Sequence, residues 1–555
     1  MTSLNYLQNG SDIRGIALNG VEGEVPNLTM KEAVELTKGF LMHMVAKTNK
    51  SPVTMKFAIG RDPRLSGPGL KNAVYSTLEA YGAEVLDCGL ASTPAMFMST
   101  VFEEFDCDGA IMITASHLPF NRNGFKYFDR EGGFNKSDIS KIIQFAEAVA
   151  LESASSGCAS CSACGGGCGD SGAGGCGDTG AGSCGVPTQV SETDVFGDIH
   201  ILPVYGEPAP LMARYTKHLR DIIVKETGMD KPFAGMKIVV DAGNGGGGFF
   251  ASDVLEPLGA DVSDSQFLIP NGTFPNHMPN PEDKEAIASL KKQVLETGAD
   301  FGLIFDTDVD RSSAVDKNGR EISRNGIVAM AAALVAESNP GSTIVTDSIT
   351  SDQLTEFIEG KLGLKHLRFK RGYKNVINKS IELNNNGIES PLAIETSGHA
   401  ALKENFFLDD GAYLATKICI KAANLAKEGK TLDQLIADLE DPIEAEEVRL
   451  PITCEDFGPF GDQLLQDIVL WLKDGQEGLS LVTPNFEGVR INFASGYGDG
   501  WCLLRKSLHD PIMPLNIESN TKGGVKVIAT KFLELLSEYP ALDTTKLVEL
   551  TQPQN

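Results

Sequence analysis

The chain has 555 residues, 42% of them hydrophobic and 22% charged, which suits a globular protein of about three to five domains. Acidic residues outnumber basic ones by 75 to 48, and the resulting net charge of −27 speaks against a nucleic-acid surface and against docking on anionic membranes. No run approaches the ~18 apolar residues of a membrane span and no signal peptide is visible, so a cytoplasmic protein is expected; a longer precursor would reopen the plastid. In so acidic a chain, a pocket for an anionic ligand must be built from clustered Arg and Lys.

Short apolar runs at 56–60 (KFAIG), 109–114 (GAIMIT), 237–241 (KIVVD), 301–305 (FGLIF), 343–346 (TIVT) and 392–395 (LAIE) read as buried strands, each ending in a polar or glycine-rich turn. Between them, 69–80, 284–297 and 325–337 read as amphipathic helices. This alternation predicts parallel sheets with helices on both faces and ligands at the C-terminal strand ends. The last hundred residues differ, with antiparallel strands at 488–495 and 500–505 and a long helix at 523–538. The fold class expected is α/β: three consecutive mixed or parallel α/β domains and a smaller C-terminal α+β domain around a central cleft, with limits near 1–205, 206–322, 323–442 and 443–555.

One stretch stands apart. Residues 157–185 hold six of the eleven cysteines (Cys158, Cys161, Cys164, Cys168, Cys176 and Cys184), no large apolar side chain, and an eight-residue repeat, GCGDSGAG then GCGDTGAG. Such composition builds no packed core and reads as a low-complexity insert in the first domain. Its first four cysteines have a spacing similar to a ferredoxin cluster run, but Gly169 stands where that run has proline, and no apolar residues surround it. The remaining cysteines are scattered, as reduced cytosolic ones are.

Four segments carry chemistry. GAIMITASHLPFNRNGFKYF (109–128) places Ser116 just after a buried strand, followed by His117, with Lys126 ten residues on. A serine there can act as a nucleophile, although a lone Thr-Ala-Ser-His would be an ordinary turn. GLIFDTDVDRSSAVD (302–316) ends a strand in Asp306, Asp308 and Asp310, followed by Arg311; hard oxygen ligands at that spacing suit Mg²⁺, and Arg311 and Lys317 stand where an EF-hand needs Gly and Glu. LAIETSGHAAL (392–402) offers Glu395, Ser397 and His399 to sugar hydroxyls. GWCLLRKSLHDP (500–511) puts Arg505 and Ser507 on a turn, a guanidinium fork and a hydroxyl matched to phosphate oxygens.

Together with SDIRG (11–15) and IGRDPRLSG (59–67), these segments in this order resemble the α-D-phosphohexomutase superfamily, the phosphoglucomutase/phosphomannomutase group. The resemblance covers the chain apart from the Gly/Cys insert. The stretch ETSGHAALKENFFLDDGAYLATKI (395–418) looks most like the phosphomannomutase/phosphoglucomutase branch, plant and algal members included. The resemblance implies a phosphoserine at Ser116 and one Mg²⁺ held by its phosphate and the three aspartates. It also implies charge neutralisation by Arg311, with Arg14, Lys126 and His399, and His117 beside Ser116, near the reacting hydroxyl. Arg61, the looser match Lys370, Gly372 and Lys374, and Glu395, Ser397, Arg505 and Ser507 would bind substrate. The implied activity interconverts hexose 1- and 6-phosphates through a 1,6-bisphosphate that also serves as activator, in a monomer or weak dimer. Two departures stand out: Leu118 replaces the usual Asn after Ser-His, and Leu508-His509-Asp510 replaces small polar residues, setting a carboxylate near a phosphate site. They motivate the alternative of a non-catalytic sugar-phosphate-binding homologue.

Overall fold

The computed structural model describes residues 3–156, 195–196, 199–204, 206–507 and 510–552. The Gly/Cys segment with its six cysteines, and Leu508 and His509, lie outside the described residues. Among the described residues no helix is long and apolar enough to cross a membrane.

Four large sheets follow one another along the chain. In the first, Glu84–Leu90, Lys56–Arg61 and Gly109–Ile113 are parallel neighbours, and Arg122–Asp129 and Asp12–Ile16 extend them antiparallel. In the second, Ile238–Asp241 and Phe301–Phe305 are parallel, followed by antiparallel Ser312–Asp316 and Glu321–Ile322. The third has Lys365–Arg368, Thr343–Thr346 and Leu392–Ile394 parallel, then antiparallel Ala400–Leu402 and Leu408–Asp409. The fourth, from Glu444–Pro451 to Leu479–Leu481, is antiparallel throughout. The sheets are thus more mixed than the alternation of strands and helices predicts. In each of the first three, the last parallel strand turns back through a short loop into an antiparallel neighbour, a connection that needs few residues and no helix.

Every residue of Gly109–Ile113, Phe301–Phe305 and Leu392–Ile394 is buried, as strands covered on both faces require. The predicted helix at 284–297 forms as Lys284–Thr297. The Asp283 carboxylate accepts the Glu285 and Ala286 amides at 2.9 and 3.0 Å, and Gly298 closes the other end at φ +64°. One hydrophobic cluster from Ala58 to Leu439 spans the first three units, the first unit also packs a cluster of its own from Leu4 to Ile201, and residues Val448 to Leu547 pack around theirs. Polar contacts join that last unit to the third: Arg490 donates to the carbonyls of Ser348 (3.1 Å) and Thr350 (3.2 Å) and to Asp352 (2.9 Å), and Glu487 accepts from Ser348 and from the Arg371 amide.

Candidate active site at four hairpin tips

The four chemistry-bearing segments all sit at hairpin tips. Residues 114–121 join Gly109–Ile113 to Arg122–Asp129, 306–311 join Phe301–Phe305 to Ser312–Asp316, 395–399 join Leu392–Ile394 to Ala400–Leu402, and 505–511 join Gly500–Leu504 to Ile512–Ser519. Sheet geometry therefore decides where the chemistry lies.

The first two tips meet at one atom. Ser116 is buried, with its backbone at φ +50°, and its Oγ donates to Asp306 Oδ2 at 2.8 Å while accepting from Arg311 Nη2 at 3.1 Å. Arg311 also holds Asp306 Oδ2 through Nε (3.1 Å) and Nη2 (3.0 Å). The second and third tips are joined by backbone: Arg311 and His399 form an antiparallel bridge, and the Ser312 amide reaches the Gly398 carbonyl at 3.4 Å. Gly398 sits at φ +92°, and a Cβ there would lie 2.6 Å from the Ser312 oxygen, so only glycine lets these tips approach.

Asp306, Asp308 and Asp310 are all buried and bring their carboxylate oxygens within 4.8 Å of one another. Val309 between the last two adopts φ +68°, a strained conformation for a β-branched residue that turns the tip so tightly. Burial, then Asp310 and Asp308, raises the Asp306 carboxyl well above its usual range. Burial opposes ionisation of Asp308 too, but Lys126 at 3.1 Å and the Thr93 hydroxyl at 2.6 Å keep it below the carboxylate range. Lys126 pairs with Asp310 as well. Lys126 and Arg311 pair with these carboxylates, and Arg14 and His399 add positive charge beside Asp308 and Asp310. Asp308 Oδ1 and Asp310 Oδ1 are buried without a hydrogen-bond partner, an expensive state that a bound cation relieves. The donor set is all hard oxygen, so these residues fit a divalent metal.

Three profiles match in chain order: the alpha/beta/alpha domains I, II and III of phosphoglucomutase/phosphomannomutase, over residues 7–152, 213–319 and 323–442. A phosphomannomutase/phosphoglucomutase of Pseudomonas syringae pv. tomato is 30% identical over 489 residues, covering 88% of each chain. The chain belongs to the phosphoglucomutase/phosphomannomutase family. A Pseudomonas putida relative of the same name is 29% identical over 87% of this chain and 88% of its own. A phosphoglucomutase/phosphomannomutase family protein of Burkholderia thailandensis shares the fold, with a TM-score of 0.69 at 24% identity over 97% of this chain and 98% of that one. The protein is accordingly a phosphohexomutase, an isomerase.

Around the meeting point of this phosphohexomutase, Arg14 donates to the Thr114 carbonyl and to Asp12, both at 2.8 Å. His399 Nδ1 faces Asp409 Oδ2 at 2.5 Å. Burial would lower its pKa, but Asp409 and Asp310 push it up to about 9. His117 is exposed, and Arg311 first, then Arg14 and His399, push its pKa down. Glu395 accepts the Gly372 amide at 2.6 Å, and burial, then Asp347, pushes its carboxyl up to about 7. Ser397 Oγ is buried without a partner. Arg505 is half-buried with Nε unpartnered. The Ser507 hydroxyl accepts the Asp510 amide at 3.2 Å, and Asp510 itself is exposed.

Arg61 donates to the Asp62 carbonyl at 3.0 Å and Lys370 is exposed, while Lys374 donates to the Gly133 carbonyl of the first sheet at 2.6 Å and lines one cavity with Lys126, Asp310 and Asp409. Sequence reasoning passed over Tyr373, whose ring stacks on His399 at 5.2 Å and whose hydroxyl donates to Asp12 at 3.2 Å, and also Asp409 and Thr93. Asp409 lies inside the quoted 395–418 stretch, but nothing local marks Thr93 at the start of helix Thr93–Met98. Thr93 holds Asp308 twice, by hydroxyl and by amide (2.8 Å to the Asp308 carbonyl). Thr93→Val keeps the amide bond and loses the hydroxyl one. It is expected to raise the divalent-metal concentration for half-maximal activity by about 10–100-fold, read from a metal titration of turnover.

Proposed function

We propose that the protein interconverts hexose 1-phosphate and hexose 6-phosphate, with glucose preferred and mannose accepted. Ser116 carries the phosphoryl group, a 1,6-bisphosphate is both intermediate and activator, and Mg²⁺ is the metal held by Asp306, Asp308 and Asp310. The observation that carries this reading is the convergence of Asp306 and Arg311 on Ser116 Oγ. Bound there, Mg²⁺ supplies electrostatic stabilisation of the transferring phosphoryl oxygens.

In the first half-reaction a sugar hydroxyl oxygen attacks the phosphorus on Ser116, the P–Oγ bond breaks, and the hydroxyl proton passes to a base at the tips. His399 is the candidate, because the Asp409 contact at Nδ1 leaves its Nε2 for the exchange, while Lys126 and Arg14, held charged by neighbouring aspartates, offset negative charge beside the reacting hydroxyl. Arg311 remains on Ser116 Oγ as it gains charge. After the bisphosphate turns over in the cleft, Ser116 Oγ attacks the phosphorus of its other phosphate, the sugar O–P bond there breaks, the proton taken in the first half-reaction returns to the leaving sugar oxygen, and Ser116 again carries the phosphoryl group. Glu395 and the unpartnered Ser397 hydroxyl face the sugar. Arg505, with Ser507, takes the phosphate that is not reacting. The limits 1–205, 206–322, 323–442 and 443–555 give each unit one tip. The five described cysteines are unpaired and four are buried, which suits the cytoplasm.

A coupled assay with glucose 1-phosphate and, separately, mannose 1-phosphate, with Mg²⁺ and a trace of glucose 1,6-bisphosphate, tests the reading. Turnover of glucose 1-phosphate is expected, and a mannose rate far above it would reverse the preference. Arg505→Ala removes a charge-assisted contact worth about 1.5–3 kcal/mol, so KM should rise about 10–150-fold with kcat changed far less.

A further inference from the structure

We infer that Arg64 is the positioning residue that sets the geometry of the Ser116 loop for phosphoryl transfer, an inference that rests on Ser116 being the phosphoryl carrier. Arg64 follows strand Lys56–Arg61 and is 0% exposed. A guanidinium has five N–H donors in a fixed fork, and here each has its acceptor. Nε donates to Asp62 Oδ2 at 3.1 Å. Nη1 donates to the carbonyls of Pro119 (2.6 Å) and Arg122 (3.2 Å), and Nη2 to those of Ser116 and Leu118 (2.6 Å). One side chain therefore gathers three carbonyls of a single loop and that of the strand residue Arg122 after it, and it has no donor left for a phosphate. It acts through the loop.

The grip closes from the other side through the same carboxylate. Asp62 Oδ2 accepts from Thr114 Oγ1 at 2.7 Å, and Thr114 Oγ1 accepts the Ser116 amide at 2.9 Å. Ser116 is thus held at its amide and at its carbonyl by one buried network. That is what a non-glycine residue at φ +50° needs, because such a conformation persists only where its surroundings over-determine it. The second unit seals the network. Gly272 lies against residues 63–65, where a Cβ would stand 2.4 Å from the Pro63 oxygen, and the Phe274 ring lies 5.2 Å from the guanidinium. With the backbone pinned, the Ser116 hydroxyl is aimed at Asp306 and Arg311. Lysine at 64, with three donors on a point charge, cannot gather four carbonyls and a carboxylate.

The test uses the full chain with Arg64→Lys and Arg64→Ala. Steady-state kcat and KM for glucose 1-phosphate are measured beside amide hydrogen exchange on peptides spanning 114–122 and on strand Glu84–Leu90 of the same sheet. Misplacing a reacting group by about 1 Å costs about 10²-fold in rate, so kcat should fall by about 10²-fold in both variants with KM within about threefold. Exchange should rise at 114–122 and stay unchanged at Glu84–Leu90. Wild-type kcat in either variant, or exchange that rises equally across the sheet, would overturn the inference. If the unmodified protein turns over no hexose phosphate, it is the functional reading that fails, and that outcome is seen before any variant is made.

Discussion

Ser116→Ala is expected to lower turnover of glucose 1-phosphate by on the order of 10⁴-fold or more, the scale of nucleophile removals. The loss should be chemical. The substitution deletes one buried oxygen with two partners, Asp306 and Arg311, which remain hydrogen-bonded to each other through Nε at 3.1 Å and Nη2 at 3.0 Å. Folding should therefore cost only about 1 kcal/mol, and the melting curve should stay near that of the unmodified protein. Mass spectrometry of the peptide containing residue 116 should show added phosphate in the unmodified protein after incubation with glucose 1,6-bisphosphate, and none in the variant. Retained turnover in Ser116→Ala would move the phosphoryl carrier elsewhere.

Removing the metal should have a comparable effect. Asp308 Oδ1 and Asp310 Oδ1 are buried without a hydrogen-bond partner, an expensive state that a bound cation relieves. Chelation is expected to abolish turnover, and Mg²⁺ to restore it. At a free concentration 100 times its dissociation constant the ion stabilises the folded protein by about 2.7 kcal/mol, visible as a rise in melting temperature. Asp308→Ala removes a ligand and strands Lys126 with one carboxylate. It should reduce turnover by about 10²–10³-fold and erase the Mg²⁺-dependent thermal shift, leaving the metal-free melting temperature as the baseline. An undiminished shift in that variant would place the metal at other residues.

Much of this site is legible in the residues alone because its signals are local. The runs GAIMI, FGLIF and LAI declare strands buried on both faces, and each hands over directly to polar groups, so Ser116, the three aspartates, and Glu395 with Ser397 and His399 could be placed at strand ends before any coordinates. The helix at 284–297 carries its own caps, Asp283 and Gly298, and forms where they put it. Local apolar runs, capping side chains and ligand spacing act over a few residues, and short-range physics preserves them.

What only the tertiary structure decided acts across long separations. Strands such as Ser312–Asp316, buried at every position, show no alternation to mark them as antiparallel returns, so the hairpin form of the four tips waited on the sheets. Ser116 meets Asp306 across 190 positions, Thr93 meets Asp308 across 215, and Arg64 meets the Ser116 carbonyl across 52. Lys374, two residues from an exposed Gly372, reaches the Gly133 carbonyl of the first sheet, because the packing of the third unit against the first brings that carbonyl within 2.6 Å. Contacts between groups so far apart in sequence depend on how strands and sheets pack, and that packing leaves no mark on the spacing of neighbouring residues.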